Sequence, residues 1–98
     1  MKNDNSDYVA FKIENNGDVL AVFPFHPGTY DPTTCSVYAH IGQHSVACWN
    51  YVTGLRNAKP GQYAGLLAEL VRIGYVPKVL NRLPSRNYAQ QIRRAAIN

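Results

Sequence analysis

The segment YVAFKIENNGDVLAVF, residues 8–23, decides how the first half of the chain folds. Residues 8–14 alternate at a period of two, which predicts a β-strand. The pair Asn16-Gly17 follows, and it favours a hairpin because both central residues of a type I′ turn need positive φ. A second strand is predicted over residues 19–23, so the whole segment is interpreted as a β-hairpin.

The turn also predicts how the two strands pair. A two-residue turn sets Ile13 opposite Leu20. It also sets Phe11 opposite Val22, so that the branched and aromatic side chains share one face of the hairpin. Turn chemistry and hydrophobic pattern therefore agree.

Two further strands are predicted over residues 35–41 and 45–52. A type II′ turn at Gly42-Gln43 would join them as a hairpin. The alternative is one long strand with a bulge at Gly42. Before them, residues 24–32 contain three prolines and a glycine, which predict a stiff loop without regular structure.

The second half of the chain predicts a helix, a strand and a helix. Pro60 opens the first helix and Gly74 suits the left-handed residue after its last turn. Its apolar face is predicted from helical spacing and consists of Tyr63, Leu66, Leu67, Leu70 and Ile73. A strand over residues 75–80 is expected at a sheet edge because it contains Pro77.

The last helix is predicted over residues 86–96. Ser85 is its expected N-cap. The side chains expected to face inward are those of Tyr88, Ile92 and Ala95 or Ala96.

These elements predict an α+β fold, a small antiparallel sheet in the order β-β-β-β-α-β-α. One amphipathic helix is expected to pack on a face of the sheet, followed by a short basic C-terminal helix. The domain is expected over residues 8–98, after a flexible tail over residues 1–7. With one helix on the sheet, the other face is expected to meet water or a partner. A homodimer is one expectation, through that face or through the edge near Pro77.

Composition excludes several classes of protein. With 46% hydrophobic and 16% charged residues, the 98-residue chain is too apolar for a disordered protein. It has no apolar run long enough for a membrane span, so no membrane partner is expected. Residues 1–7 are polar and lack the apolar core of a secretory signal, which predicts a cytoplasmic protein. Cys35 and Cys48 are then expected to be free thiols.

Charge is distributed unevenly along the chain. Residues 1–31 hold five acidic and two basic residues, whereas residues 32–98 hold eight basic residues and one acidic residue, Glu69. Such a basic segment can contact phosphates or an acidic protein surface. The residues predicted to bind DNA or RNA, if nucleic acid is the partner, are Lys78, Arg82, Arg86, Tyr88, Arg93 and Arg94.

The stiff loop over residues 24–32 carries three side chains suited to contact with a protein: Phe25, His26 and Tyr30. Aromatic groups on a proline-stiffened loop lose little entropy on binding. The predicted partner-binding set joins this loop to the basic segment and consists of Phe25, His26, Tyr30, Arg82, Arg86, Arg93 and Arg94.

The cysteine and histidine residues suggest zinc binding as an alternative function. Cys35, His40, His44 and Cys48 are a legitimate set of zinc ligands by type. Their spacing argues against a site, since His40 and His44 on one strand would lie roughly 13 Å apart. Paired carboxylates, phosphate-binding glycine loops and nucleophile–base patterns are absent from the sequence. We therefore expect no enzyme activity, no cofactor and no metal.

Several short strings in the chain resemble a pattern found in small proteins of phages and mobile elements of gut bacteria. The strings are Ala21-Val22-Phe23-Pro24, Pro27-Gly28-Thr29, Tyr38-Ala39-His40-Ile41-Gly42-Gln43-His44, Tyr63-Ala64 and Gly74-Tyr75. The resemblance spans most of the chain and transfers no residue roles. It implies an accessory or anti-defence factor, a class that includes anti-CRISPR proteins. The resulting hypothesis is a binding module that contacts a host protein or nucleoprotein and inhibits a defence nuclease.

Overall fold

Six strands form one sheet in the computed structural model, which describes residues 7–40 and 42–97. The strands are β1 (Tyr8–Ile13), β2 (Val19–Phe23), β3 (Thr34–Ala39), β4 (Gln43–Cys48), β5 (Arg56–Asn57) and β6 (Lys78–Leu80). The helices are α1 (Trp49–Thr53), α2 (Pro60–Arg72) and α3 (Arg86–Ile97). The α+β class is therefore confirmed.

The strands run in the order β4-β3-β2-β1, and both β5 and β6 pair with the far side of β1. Only the pairing of β6 with β1 is parallel among the described strands. The predicted tail lies outside the described residues except for Asp7, whose carboxylate accepts a hydrogen bond from the Val76 N–H. None of the described helices is long and apolar enough to cross a membrane.

The first hairpin forms as predicted, but the predicted pairing of its strands is wrong by one residue. Phe11 lies opposite Ala21, and Lys12 lies opposite Leu20. A shift of one residue moves every side chain of a strand to the other face relative to its partner. Phe11 and Leu20 consequently belong to different faces of the sheet.

The turn itself explains the shift. It contains three residues rather than two: the Gly17 N–H donates to the Glu14 carbonyl, and the Glu14 N–H donates to the Asp18 carbonyl. Gly17 has a φ of 92°, the left-handed conformation required at the bulge of a three-residue hairpin turn. The glycine was recognised from the sequence, but the turn type was not.

Both faces of the sheet are covered, which corrects the expectation of one open face. The α2 side buries Val9, Phe11, Ala21, Phe23, Tyr38, Leu66 and Leu70. The opposite side, under α1 and α3, buries Leu20, Val22, Phe25, Cys35, Val37, Trp49, Val52 and Ala89. A continuous apolar run such as residues 19–23 is typical of a strand covered on both faces.

The strand predicted over residues 45–52 ends at Cys48, and the chain then forms α1. Trp49 and Val52 lie one helical turn apart and are both buried against the sheet. The two-strand interpretation of residues 35–52 is correct, because β3 and β4 pair with Ala39 opposite Gln43. The predicted turn at Gly42-Gln43 is wrong, because β3 already ends at Ala39 and Gln43 is the first residue of β4. Ile41 lies outside the described residues.

Helix α2 begins at Pro60 and ends at Arg72, close to its predicted bounds. Gly74 follows with a φ of 113°, as expected for a left-handed cap. The predicted apolar face is wrong at Ile73, which lies beyond the helix and is exposed. The inward position is taken instead by Glu69, which is buried beside Leu70.

Helix α3 also has its predicted bounds to within one residue, and the Tyr88 N–H donates to the Ser85 hydroxyl at 3.4 Å. Its inward face is predicted correctly only at Ile92, which is half-buried and packs against the core. The buried side chains are Ala89 and Arg93, whereas Tyr88 and Ala95 are exposed. Half of the apolar residues of this short helix are alanines, which define its orientation only weakly, so packing decides which face is buried.

Candidate functional site

Arg93 lies on the inner face of α3 and is fully buried. The sequence predicted it instead as a contact residue for a partner or a nucleic acid. Its Nε donates to the Pro32 carbonyl and its Nη1 to the Pro24 carbonyl, both at 2.8 Å. The guanidinium carbon lies 4.4 Å from the centre of the Trp49 ring. Burial lowers the pKa of Arg93. Arg93 therefore stabilises the fold and is not part of a contact surface.

The two carbonyls that Arg93 binds belong to the first and last prolines of the loop over residues 24–32. Asp31 further fixes this loop, since its carboxylate accepts hydrogen bonds from the Thr33 N–H and hydroxyl. These two bonds lower the pKa of Asp31, and the charge of Arg94 lowers it further. Both ends of the loop are consequently held by hydrogen bonds.

The structure divides the three predicted contact residues of this loop. Phe25 is buried, with its ring edge-on to Tyr8 at 5.8 Å and to Tyr88 at 5.7 Å, so its assignment as a contact residue is wrong. His26 is exposed. Tyr30 has 91% of its surface exposed and stands clear of the loop. Only His26 and Tyr30 remain available to a partner.

The other predicted arginines, Arg82, Arg86 and Arg94, are exposed. Arg86 donates to the side-chain oxygen of Asn50. Within the described residues none of the three forms an ion pair with a carboxylate. Their charges are therefore available to an anionic partner.

A series of contacts through the rings of Tyr8 and Phe25 connects Lys78 to Tyr88. The Lys78 ammonium lies 5.3 Å from the centre of the Tyr8 ring, which contacts Phe25, which in turn contacts Tyr88. Tyr88 remains 53% exposed. The exposed Arg82 and Arg86 lie between these two residues in the sequence, and we call Lys78, Arg82, Arg86 and Tyr88 together the cationic aromatic surface.

A polar cluster around Glu69 was not found from the sequence. The buried Glu69 carboxylate accepts hydrogen bonds from the Tyr38 hydroxyl and, at 3.2 Å, from the Gly42 N–H. His40 Nδ1 lies 2.5 Å from its other oxygen. The Tyr38 bond is the largest cause that lowers the pKa of Glu69 to about 2, with Gly42 and His40 adding to it. The same bond raises the pKa of Tyr38.

This cluster attaches the turn between β3 and β4 to helix α2. It also orients the His40 ring, whose side chain is 70% exposed beside a cleft of about 590 Å³. The signal in the sequence was position: Glu69 follows Leu66 by three residues and precedes Leu70, so helical spacing puts it on the buried face.

The four residues of the zinc alternative are not brought together. Cys35 is buried in the core under α1 and α3, and burial raises the pKa of its thiol to about 11. Cys48 is exposed. His40 binds Glu69, and His44 Nε2 lies 3.1 Å from the Tyr75 hydroxyl. Across residues 7–40 and 42–97, no three histidine, cysteine or acidic side chains are grouped as a metal site.

Comparisons with known proteins provide no relative from which a role could be transferred. No family model, no curated protein and no solved structure matches this chain. The function is therefore argued from the residues and their geometry.

Proposed function

We propose that the chain is a non-enzymatic binding module of phage or mobile-element type that acts in the cytoplasm on an anionic partner. That partner is a nucleic acid, alone or within a nucleoprotein such as a defence nuclease. The proposal rests on one observation: Lys78 lies over the Tyr8 ring, and the aromatic contacts continue from there to the half-exposed Tyr88.

The composition of the cationic aromatic surface suits a nucleic-acid strand. Arginine binds phosphate through two parallel N–H groups, and lysine binds it as a point charge. An exposed tyrosine ring can stack on a base of any sequence. Arg82 and Arg86 have no carboxylate partner within the described residues, so phosphate would not have to displace one.

Replacing Arg82 and Arg86 with glutamate is expected to weaken binding of a labelled 20-nucleotide single strand at least about tenfold in low salt. The reason is that two phosphate contacts become repulsive. Fluorescence anisotropy measures the affinity. For the unchanged protein, the logarithm of the affinity should fall with the logarithm of salt concentration with a slope of about −2, as expected for three phosphate contacts to a single strand.

The matched control is Arg56→Glu with Lys59→Glu, which makes the same change in charge at two exposed residues near the start of α2. This control should bind more tightly than the Arg82/Arg86 variant. An equal loss in both variants would indicate that net charge, rather than this surface, governs binding. If neither single strands nor duplexes bind at low salt, direct nucleic-acid binding is wrong.

A second candidate function is contact with a host protein through Tyr30. The observation that favours it is a ring with 91% exposure on a loop whose two ends are both bound by Arg93. An aromatic side chain held this way loses little entropy when a partner buries it. The partner in this case is the nuclease protein itself.

Tyr30→Ala is expected to weaken inhibition at least about 30-fold if the protein blocks an RNA-guided nuclease by this contact, because an aromatic hot-spot residue of an interface contributes about 2 kcal/mol or more. The measurement is DNA cleavage by a panel of purified RNA-guided nucleases, with and without the protein. Val76→Ala, at another exposed apolar position, should inhibit like the unchanged chain. Inhibition that survives Tyr30→Ala would place the contact elsewhere.

A further inference from the structure

The outer edge of the sheet at β4 is unpaired and carries no charge. Within the described residues β4 pairs with β3 alone, and five of its six residues are exposed. It contains neither proline nor a charged side chain, and no Asp, Glu, Lys or Arg occurs between Asp31 and Arg56. Free edges that must stay unpaired normally contain lysine, proline or bulges, or are very short.

The opposite edge of the same sheet has these protective features. There β5 has two residues and β6 has three, Pro77 precedes β6, and the two strands carry Arg56 and Lys78. The expectation of a dimer through the edge near Pro77 is therefore unsupported. The contrast between the two edges indicates that β4 has a strand as its partner.

We propose that β4 pairs antiparallel with β4 of a second copy of the chain, around a twofold axis that passes between the two Val46 residues. An antiparallel strand is complementary to itself under a twofold axis, because each N–H of one copy meets a carbonyl of the other. The sheet would continue through the dimer.

Val46 determines this register. It is the one large aliphatic side chain of β4 and is 44% exposed. Matching apolar positions sets the register of paired strands, so Val46 lies opposite its own copy. Gly28 packs directly against the Val46 side chain. A Cβ at Gly28 would lie 2.4 Å from a Val46 methyl carbon, so the loop can approach Val46 this closely only because residue 28 is glycine.

Charge favours a second copy over a foreign charged segment. Each copy has a net charge of +4 and would repel the other at its basic surfaces. The 24 residues between Asp31 and Arg56 contain none of that charge, so two copies can approach there. A charged partner segment would find no complementary charge along β4. This proposal does not depend on the cationic aromatic surface.

Val46→Lys tests the interface, because it places two ammonium groups opposite each other on paired strands. Light scattering coupled to size exclusion should give twice the mass of one chain for the unchanged protein at high concentration, with dissociation on dilution. Val46→Lys should weaken this self-association at least about tenfold. Val76→Lys is the matched control, since Val76 is 65% exposed outside any strand, and it should dimerise normally.

A monomer at every concentration up to about 1 mM would overturn the proposal. If the protein stayed monomeric and bound an unrelated extended peptide along β4, the partner of this edge would be a strand of another protein. Dimerisation unchanged by Val46→Lys would also overturn it.

A cross-link tests the register without adding charge. In a Cys48→Ser background, Val46→Cys should form a covalent dimer under mild oxidation, because the two new thiols lie directly opposite each other. Ser45→Cys in the same background is the control, since Ser45 would lie opposite Ala47 of the second copy and should cross-link poorly. Equal cross-linking of the two variants, or none in either, would overturn the proposed pairing.

Discussion

Arg93→Ala is expected to lower the free energy of unfolding by about 3 to 4 kcal/mol, which is a large share of the roughly 5–15 kcal/mol that a domain of this size has. The substitution leaves the Pro24 and Pro32 carbonyls without their donor. It also leaves a cavity against the Trp49 ring. Urea unfolding at pH 7 measures the loss.

Arg93→Met separates the packing of Arg93 from its hydrogen bonds. Methionine fills most of the volume and removes a buried charge, so its cost should be about half that of alanine. The buried Nη2 of Arg93 has no hydrogen-bond partner within the described residues, which makes removal of the guanidinium less costly still.

The matched control for Arg93 is its exposed neighbour. Arg94→Ala should change the free energy of unfolding by less than about 0.5 kcal/mol. If Arg93→Ala were as stable as Arg94→Ala, the two carbonyl bonds would not hold the loop in solution. Retained nucleic-acid binding by a folded Arg93→Met variant would agree with the structural role assigned to this residue.

Glu69→Gln is expected to give the second-largest effect, seen as lower thermal stability at pH 7 and a flatter dependence of stability on pH. Glutamine cannot accept from the Tyr38 hydroxyl, the Gly42 N–H and His40 as a carboxylate does. The turn between β3 and β4 would consequently be held less firmly to α2.

The direction of the pH effect follows from the pKa of Glu69. Its pKa is about 2 in the folded protein, against an ordinary value of 4.5, so the folded state favours the ionised form. The resulting stabilisation is fully present above about pH 4.5 and is lost as pH falls toward 2. In Glu69→Gln this loss between pH 4.5 and pH 2 should disappear.

Thermal unfolding followed by circular dichroism from pH 2 to pH 7 measures both effects. Glu14→Gln is the matched control, because Glu14 is a less buried carboxylate bonded to one tyrosine, Tyr51. It should lose less stability at pH 7 than Glu69→Gln. Equal acid sensitivity of the unchanged protein and Glu69→Gln would mean that other groups cause the acid dependence.

The sequence by itself was sufficient wherever local chemistry decides structure. Asn16-Gly17 predicted a hairpin, Pro60 and Gly74 bounded α2, and Ser85 marked the start of α3. In each case the conformational preference of one or two residues is the cause, so no distant contact is needed. The α+β class and the order of the predicted elements follow from these signals, whereas α1 and β5 were not predicted.

The candidate site was predicted only in part, because residue type does not reveal burial. Arg93 and Arg94 are adjacent and chemically identical, yet one is fully buried and the other is exposed. Arg82 and Arg86 are exposed as a contact role requires. Glu69 was recognised only as the single acid of a basic segment.

Tertiary structure alone decided which face each element buries and which strands lie at the edges of the sheet. A turn one residue longer than predicted separated Phe11 from Leu20, because side chains in a strand alternate between faces. α3 packed with Arg93 inward because the Pro24 and Pro32 carbonyls and the Trp49 ring meet there. These partners lie at least 44 residues away along the chain, so no local pattern in the sequence could reveal the contact.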